Sequence, residues 1–355
     1  MIGNRLKRAR EALGMSLREL EAAIQGQVSA QAIGKYERDE MMPSSTSLLA
    51  LSKALEVSPE YLLSERDIEL TGVDFRKAPQ AGVKEERAVE ASVLDQVERY
   101  LELEELLPGV EQFWETPDDQ MFEIGRIEDA ELAADALRRL WELGIDPIPS
   151  LAELLEDKGV KVIALALPEN VSGSKAFVQR PDHQDVPVIV VNGGHNGERQ
   201  RFTLAHELAH LVLRFSGLSD ADQEKAADRF AGAFLMAKDM VLRLLGPHRT
   251  SISIGELAEL KKLFKVSIAS LVVRSAQLGI ITKAVYGRLW TQIKDLGWNS
   301  QASNEPGTLT AEVPQRMERL CLRAVAEGAI SEARAAELLG ISVRELDRRL
   351  MGQFA

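Results

Sequence analysis

A chain of 355 residues has room for two or three domains at about 100–200 residues each, and its 45% hydrophobic and 28% charged content is ordinary for a soluble globular protein. No apolar run approaches the ~18 residues of a membrane span, no secretory signal opens the chain, and the single cysteine, Cys321, excludes an intrachain disulfide or a cysteine-based zinc site, so a cytoplasmic location is expected. A net charge of −12 excludes a protein that coats nucleic acid over its whole surface; any DNA contact must be confined to a local basic patch.

Residues 1–38 supply such a patch, with seven basic side chains against four acidic ones. Ser16-Leu17-Arg18-Glu19 is a capping-box pattern, in which Ser16 bonds the amide of Glu19 and Glu19 reaches back. Leu17, Leu20 and Ile24 follow at helical spacing, Gly26 breaks the helix, and Ser29 opens another through Tyr36. Met42-Pro43-Ser44 marks a turn before Leu48, Leu51, Leu55 and Leu62. Residues 1–64 are therefore expected to form a small bundle of short helices of the DNA-binding kind. Residues 65–128 read as a helical connector. Val83 to Leu107 mixes many glutamates with Val, Leu and Tyr100, which suits a solvated spacer or a self-association helix.

From 129 the pattern changes. Ala130 to Leu143 is amphipathic and ends at Gly144; Ser150 caps a helix with Leu151, Leu154 and Leu155 on its apolar side. Val160–Leu165 and Val186–Val191 read as strands, with Pro187 placing the second at a sheet edge or a strand start. An extended segment of a bound partner is expected to add as an extra strand beside this second strand, Val186–Val191.

The segment that follows, Arg201 to Leu213, contains strong helix formers without Gly or Pro. On a helix, His206 and His210 stand about 40° apart around the axis, so both imidazoles leave one face. Two neutral imidazole nitrogens are good ligands for zinc. Glu207 lies beside the first ligand, placed to act as general base without filling the ligand set. A catalytic zinc needs a third protein ligand and an open position. His183, His195 and His248 do not sit at a short three-histidine spacing, so a carboxylate is expected. Glu224 and Asp228, four apart on a second helix, supply two candidates: one for the metal, the other to accept the outer N–H of a ligand histidine.

The runs RFTLAHELAHLVL (201–213) and EKAADRFAGAFLM (224–236), with VPVIVVN (186–192) ahead of them, resemble the ImmA/IrrE family of metallopeptidases over about residues 129–282. That resemblance implies a zincin-like α+β domain with Zn2+ held by His206, His210 and Glu224, Glu207 as catalytic base and Asp228 behind a histidine. It further implies a substrate that is itself a helix-turn-helix repressor. Ala237-Lys238 stands where the family commonly has a proline.

Residues 2–63 resemble the XRE-type helix-turn-helix. The similarity makes Val28 to Glu37 the recognition helix, with Ala30, Gln31, Gly34 and Lys35 toward the major groove and Arg10 and Arg38 on phosphates. The turn Gln25-Gly26-Gln27 is about two residues longer than the family's usual one.

Residues 283–355 read as a helical region. The stretch from Ile330 to Leu346 looks like a second helix-turn-helix with Ser331 and Ser342 as caps, and an oligomerising helical tail fits as well; residues 299–308 read as a loose linker. The expected fold is mainly α with a small β-sheet. The expected function is a transcriptional regulator, binding a double-stranded DNA operator as a homodimer, with a zinc endopeptidase acting on a partner repressor or on itself. The alternative is a repressor or antitoxin-like regulator whose metal domain senses or binds a partner without catalysis.

Overall fold

The computed structural model describes residues 2–63, 68–72, 83–118, 120–181, 183–298, 305–307 and 309–352. They divide into two compact units: residues 1–113, 176–188 and 315–355 form the first, residues 114–175 and 189–314 the second. The fold is mainly α with a small sheet component.

The first unit begins with five short helices, α1 (Ile2–Ala12), α2 (Leu17–Ala23), α3 (Ala30–Glu37), α4 (Ser45–Ala54) and α5 (Pro59–Leu63). Ser16 and Glu19 make the reciprocal capping box at α2, and Ser29 caps α3. Gln25 and Gly26 both adopt positive φ, which turns the chain between these helices; the glycine does so without a Cβ penalty. Leu6, Leu20, Ile33, Leu51 and Leu62 are fully buried at the centre of the bundle. Each such side chain contributes about 1.5–3 kcal/mol by leaving water.

Helix α6 (Val83–Leu106) is not a solvated spacer. It packs along α1, and Val93, Val97, Tyr100 and Leu103 are buried. Glu98, one of the glutamates that made it look solvated, is buried in an ion pair with Arg5 and also meets Arg8 at 3.4 Å. Two further helices, α15 (Arg316–Ala326) and α16 (Glu332–Leu339), pack on α6, and α17 (Val343–Leu350) packs on α16. Tyr100, Leu103 and Leu107 share a core with Leu320, Cys321, Ala324 and Leu338. Burial pushes the Cys321 thiol up to about 12, which leaves it an inert packing residue. Strand β1 (Glu69–Thr71) pairs antiparallel with the end of β4 (Gly173–Gln179), Leu70 opposite Val178. The other connector residues, 64–67 and 73–82, lie outside the described residues.

The second unit holds α7 (Asp129–Leu140), α8 (Leu151–Asp157), β3 (Lys161–Leu165), the start of β4, the end of β5 (Val186–Asn192), α9 (Gly197–Val212) and α10 (Asp220–Leu235). After them come α11 (Lys238–Leu245), α12 (Ile254–Phe264), α13 (Ile268–Gln277) and α14 (Lys283–Asp295). Strand β5 has β4 on one side and β3 on the other. All seven of its residues are buried, the mark of an interior strand. Pro187 is accommodated at the strand start. With both edges of β5 taken, a peptide cannot add beside it; the expected docking strand is corrected by the sheet order. A short parallel pair, β2 (Glu123–Ile124) with β6 (Arg214–Phe215), follows the end of α9.

An extended segment closes this unit. A Cβ at Gly197, the first residue of α9, would lie 2.1 Å from the Thr310 carbonyl oxygen, so the chain crosses the helix start where only glycine fits. Glu312 is buried beside Arg201 and accepts from the Leu151 and Ala152 amides at 3.2 and 3.3 Å. Glu305, within the expected loose linker, is buried and paired with Lys261 at 2.9 Å; residues 299–304 and 308 lie outside the described residues. Helix α14 packs on α13. Thus residues 283–314 group with the second unit and residues 315–352 with the first, instead of forming one terminal region.

Candidate metal centre and nucleic-acid interface

Asn196 caps helix α9, its side chain accepting from the Arg199 amide at 3.0 Å. Leu204, Ala205, Leu208 and Ala209 bury most of its surface, leaving His206, Glu207 and His210 half-buried along one strip. Helix α10, capped by Ser219, lies directly against α9. Its buried Ala226, Ala227, Ala231 and Gly232 permit close approach, and Phe230 and Phe234 stack at 5.6 Å. The consequence of this packing is that one turn of α10 faces the histidine strip.

There His206 Nε2 lies 3.2 Å from Glu224 Oε2 and 3.2 Å from His210 Nε2, while His210 Nε2 lies 3.6 Å from Glu224 Oε1. Ligands about 2.1 Å from a tetrahedral zinc are separated by about 3.4 Å, so the three donors stand where such an ion would hold them. Two imidazole nitrogens and a carboxylate form a donor set suited to a borderline divalent cation. The lone pairs of two neutral imidazoles repel at this separation unless a proton or a cation lies between them. His206 Nδ1 meets Asp228 Oδ1 at 2.9 Å, which fixes the ring and directs Nε2 inward. Burial works against charge on His206, but hydrogen bonds to Asp228 and Glu224 outweigh it and raise its pKa to about 10. The carboxylates thus create a strong site for positive charge, for which a proton and a metal ion compete.

The His206 and His210 rings sit 4.9 Å apart, and Phe215 of β6 stands edge-on to His210 at 5.9 Å. Nothing in the spacing of the motif pointed to Phe215. The same holds for Glu131 of α7, which bonds Arg229 of α10 and Arg274 of α13 at 2.8 Å each and so ties the helix that carries Glu224 to its neighbours. Burial would raise the Glu131 pKa, but the two guanidiniums, Arg274 first, bring it below the ordinary carboxylate value.

In the first unit, Gln31 and Lys35 of α3 are exposed and Ala30 is partly so, while Ile33 and Tyr36 turn into the core. Two expected DNA-facing residues do not fit that role. Gly34 is buried, and a Cβ there would lie 3.4 Å from both Leu17 Cδ1 and Arg38 Nη1. Arg10 is only 9% exposed; its Nε and Nη2 bond the two Glu37 oxygens at 2.6 and 2.9 Å, and Nη1 donates to the Met15 carbonyl. A guanidinium so engaged holds α1 to α3 and is not available to phosphate. Arg5 and Arg8 are likewise spent on Glu98. The sequence count of basic residues therefore overstates the free positive charge, which rests on exposed Lys7, Arg18, Lys35 and Arg38, the last paired with Glu40 at 2.7 Å.

Residues 155–275 match the IrrE N-terminal-like domain, a family of M78 peptidases, and residues 6–62 match a helix-turn-helix family. Over 75 residues the chain is 39% identical to Repressor protein C2 of Salmonella phage P22, covering 21% of this chain and about a third, 33%, of that protein's length. Among the described residues no helix is long and apolar enough to cross a membrane. Two separate stretches are thus similar to known families: residues 6–62 to helix-turn-helix domains, and residues 155–275 to the IrrE-like M78 peptidase-family domain.

Proposed function

We propose that this protein is a cytoplasmic transcriptional regulator with a zinc-dependent endopeptidase site, which hydrolyses a peptide bond in a partner helix-turn-helix repressor or in its own chain. The observation that carries the reading is the convergence of His206, His210 and Glu224 donors at tetrahedral spacing beside Glu207. His206, His210 and Glu224 hold the metal and Asp228 orients His206. Zinc, when bound, supplies a Lewis acid that polarises a peptide carbonyl and acidifies water. The Glu207 carboxylate takes the proton of the attacking water and delivers it to the departing amine, the two halves of general acid–base catalysis.

The helix-turn-helix presents Gln31 to adenine and Lys35 to guanine or phosphate, with Arg38 on the backbone. Homodimers of such domains read two half-sites one helical turn apart, and that is the assembly proposed here. The similarity to a protein named as a repressor supports the regulatory half of this reading.

The test compares wild type with Glu207→Gln, each purified with zinc and incubated with helix-turn-helix repressors from the same genome. Glu207→Gln should retain the metal, measured by mass spectrometry, while the cleavage rate falls by about 10²–10⁴-fold. Equal cleavage by both proteins, or a wild type that binds no zinc, would sink the enzymatic reading. Intact repressors with normal zinc and operator binding would favour a regulator whose metal domain only binds a partner.

A further inference from the structure

We propose that residues 316–351 form a second DNA-reading head, with α17 as its recognition helix and double-stranded DNA as its ligand. Ser331 caps α16 and Ser342 caps α17 through the Arg334 and Glu345 amides. Between the two helices stand only Gly340, Ile341 and Ser342, and Gly340 takes the left-handed conformation at φ 66° that a tight helix–helix turn requires. Ala335, Ala336 and Leu346 bury the inner faces against Leu322, Val325, Leu339 and Ile341.

The two heads agree at the second, fourth and sixth positions counted from their capping serines. In α3 the fourth residue after Ser29, Ile33, is buried, and the second and sixth, Gln31 and Lys35, are exposed. In α17 the fourth residue after Ser342, Leu346, is buried, and the second and sixth, Arg344 and Arg348, are exposed. The positions that face a groove in the first head are thus both arginine in the second. Among the described residues Arg344 makes no hydrogen bond or ion pair, whereas Arg348 leans on Glu345. A free guanidinium near the start of a recognition helix is the group that reads guanine O6 and N7 as a pair.

Shape alone would not justify this. Helices α12 and α13 of the second unit also meet across a short turn, with Lys265 in the left-handed region and Ser267 as cap. There the second and sixth residues after the cap are Ala269 and Val273, which offer DNA neither charge nor hydrogen bonds. The exposed arginines at these two positions, Arg344 without a partner among the described residues and Arg348 paired with Glu345, distinguish α17 from that packing motif. Both α1 and α16 pack on α6, so the two heads belong to one unit, and the operator is bipartite.

The probe is the set of duplexes that the full-length wild type selects from a random-sequence pool. Two tracts of different sequence are expected within each half-site of the dimer, both visible in the footprint. Arg344→Ala should erase the preference at one tract and weaken binding on the order of tenfold, with Gln31→Ala acting on the other. Arg348→Ala should lower the slope of binding against salt by about one. Because these side chains are exposed, unchanged melting curves are expected for all three variants. One tract lost with Arg344→Ala alone would still support α17 as a reader, while sinking the role given to α3. A single tract that Arg344→Ala leaves at wild-type affinity, or one lost equally with Gln31→Ala, overturns the proposal.

Discussion

At the scale of single residues, the metal site depends on carboxylates that differ in what they touch. Glu224 reaches both imidazole Nε2 atoms, whereas Asp228, one turn later on α10, reaches His206 only through Nδ1. Asp228 is more exposed, yet its bond to Nδ1 leaves Nε2 of His206 toward Glu224 and His210. Asp228→Asn keeps the size and removes the charge. Zinc affinity, followed by competition with a chromophoric chelator, should fall about 10–100-fold. An unchanged affinity would mean that Asp228 does not orient the ring. The spacing of Glu224 and Asp228 placed both on one face but could not rank them, since rank depends on how far α10 is shifted along α9.

At the scale of elements, α7, α10 and α13 are joined by the Glu131 carboxylate, which sits between Arg229 and the buried Arg274. Removing one member of a buried ionic cluster leaves the other charge uncompensated, at a cost of about 3–5 kcal/mol. Glu131→Gln should therefore lower the unfolding free energy at neutral pH by up to about that amount, less to the extent that Glu131 and Arg229 are partly exposed. Its lowered pKa also fixes the sign of the pH effect. The folded state holds the ionised form more tightly than the unfolded chain, so this stability is present above the unfolded value of about 4.3. It is lost as the pH falls toward the lower folded value. Equilibrium denaturation of wild type and variant should converge on acidification; parallel curves would show that the cluster does not titrate with folding.

At the scale of the whole molecule, the chain returns on itself. Residues 315–352 complete the core of the first unit, with Leu320, Cys321, Ala324 and Leu338 filling the side of α6 marked by Tyr100, Leu103 and Leu107. Arg316 strengthens the closure by bonding Tyr100 at 3.1 Å and pairing with the buried Glu104. A chain truncated after Pro314 loses these partners and exposes a contiguous apolar strip. It should bind a hydrophobic dye and melt its first unit earlier, while zinc uptake at the site proposed on α9 and α10 matches that of the full chain. Unaltered melting would show that α15–α17 is an independent appendage.

Local information was enough for much of this protein. The capping serines, the Gly breaks and the three-to-four-residue spacing of Leu and Ile marked the helices of residues 2–63, because caps and periodicity act within one or two turns. The His-Glu-x-x-His spacing placed two imidazoles and a carboxylate on one helix face for the same reason. What lay beyond reach depends on pairs distant in sequence. Arg10 looked like a phosphate contact until Glu37 claimed it, and α6 looked solvated until Arg5 neutralised Glu98. Strand 186–192 seemed open to a peptide until β3 and β4 flanked it. A charge or an apolar face is defined by what packs against it, and only the tertiary structure names that neighbour.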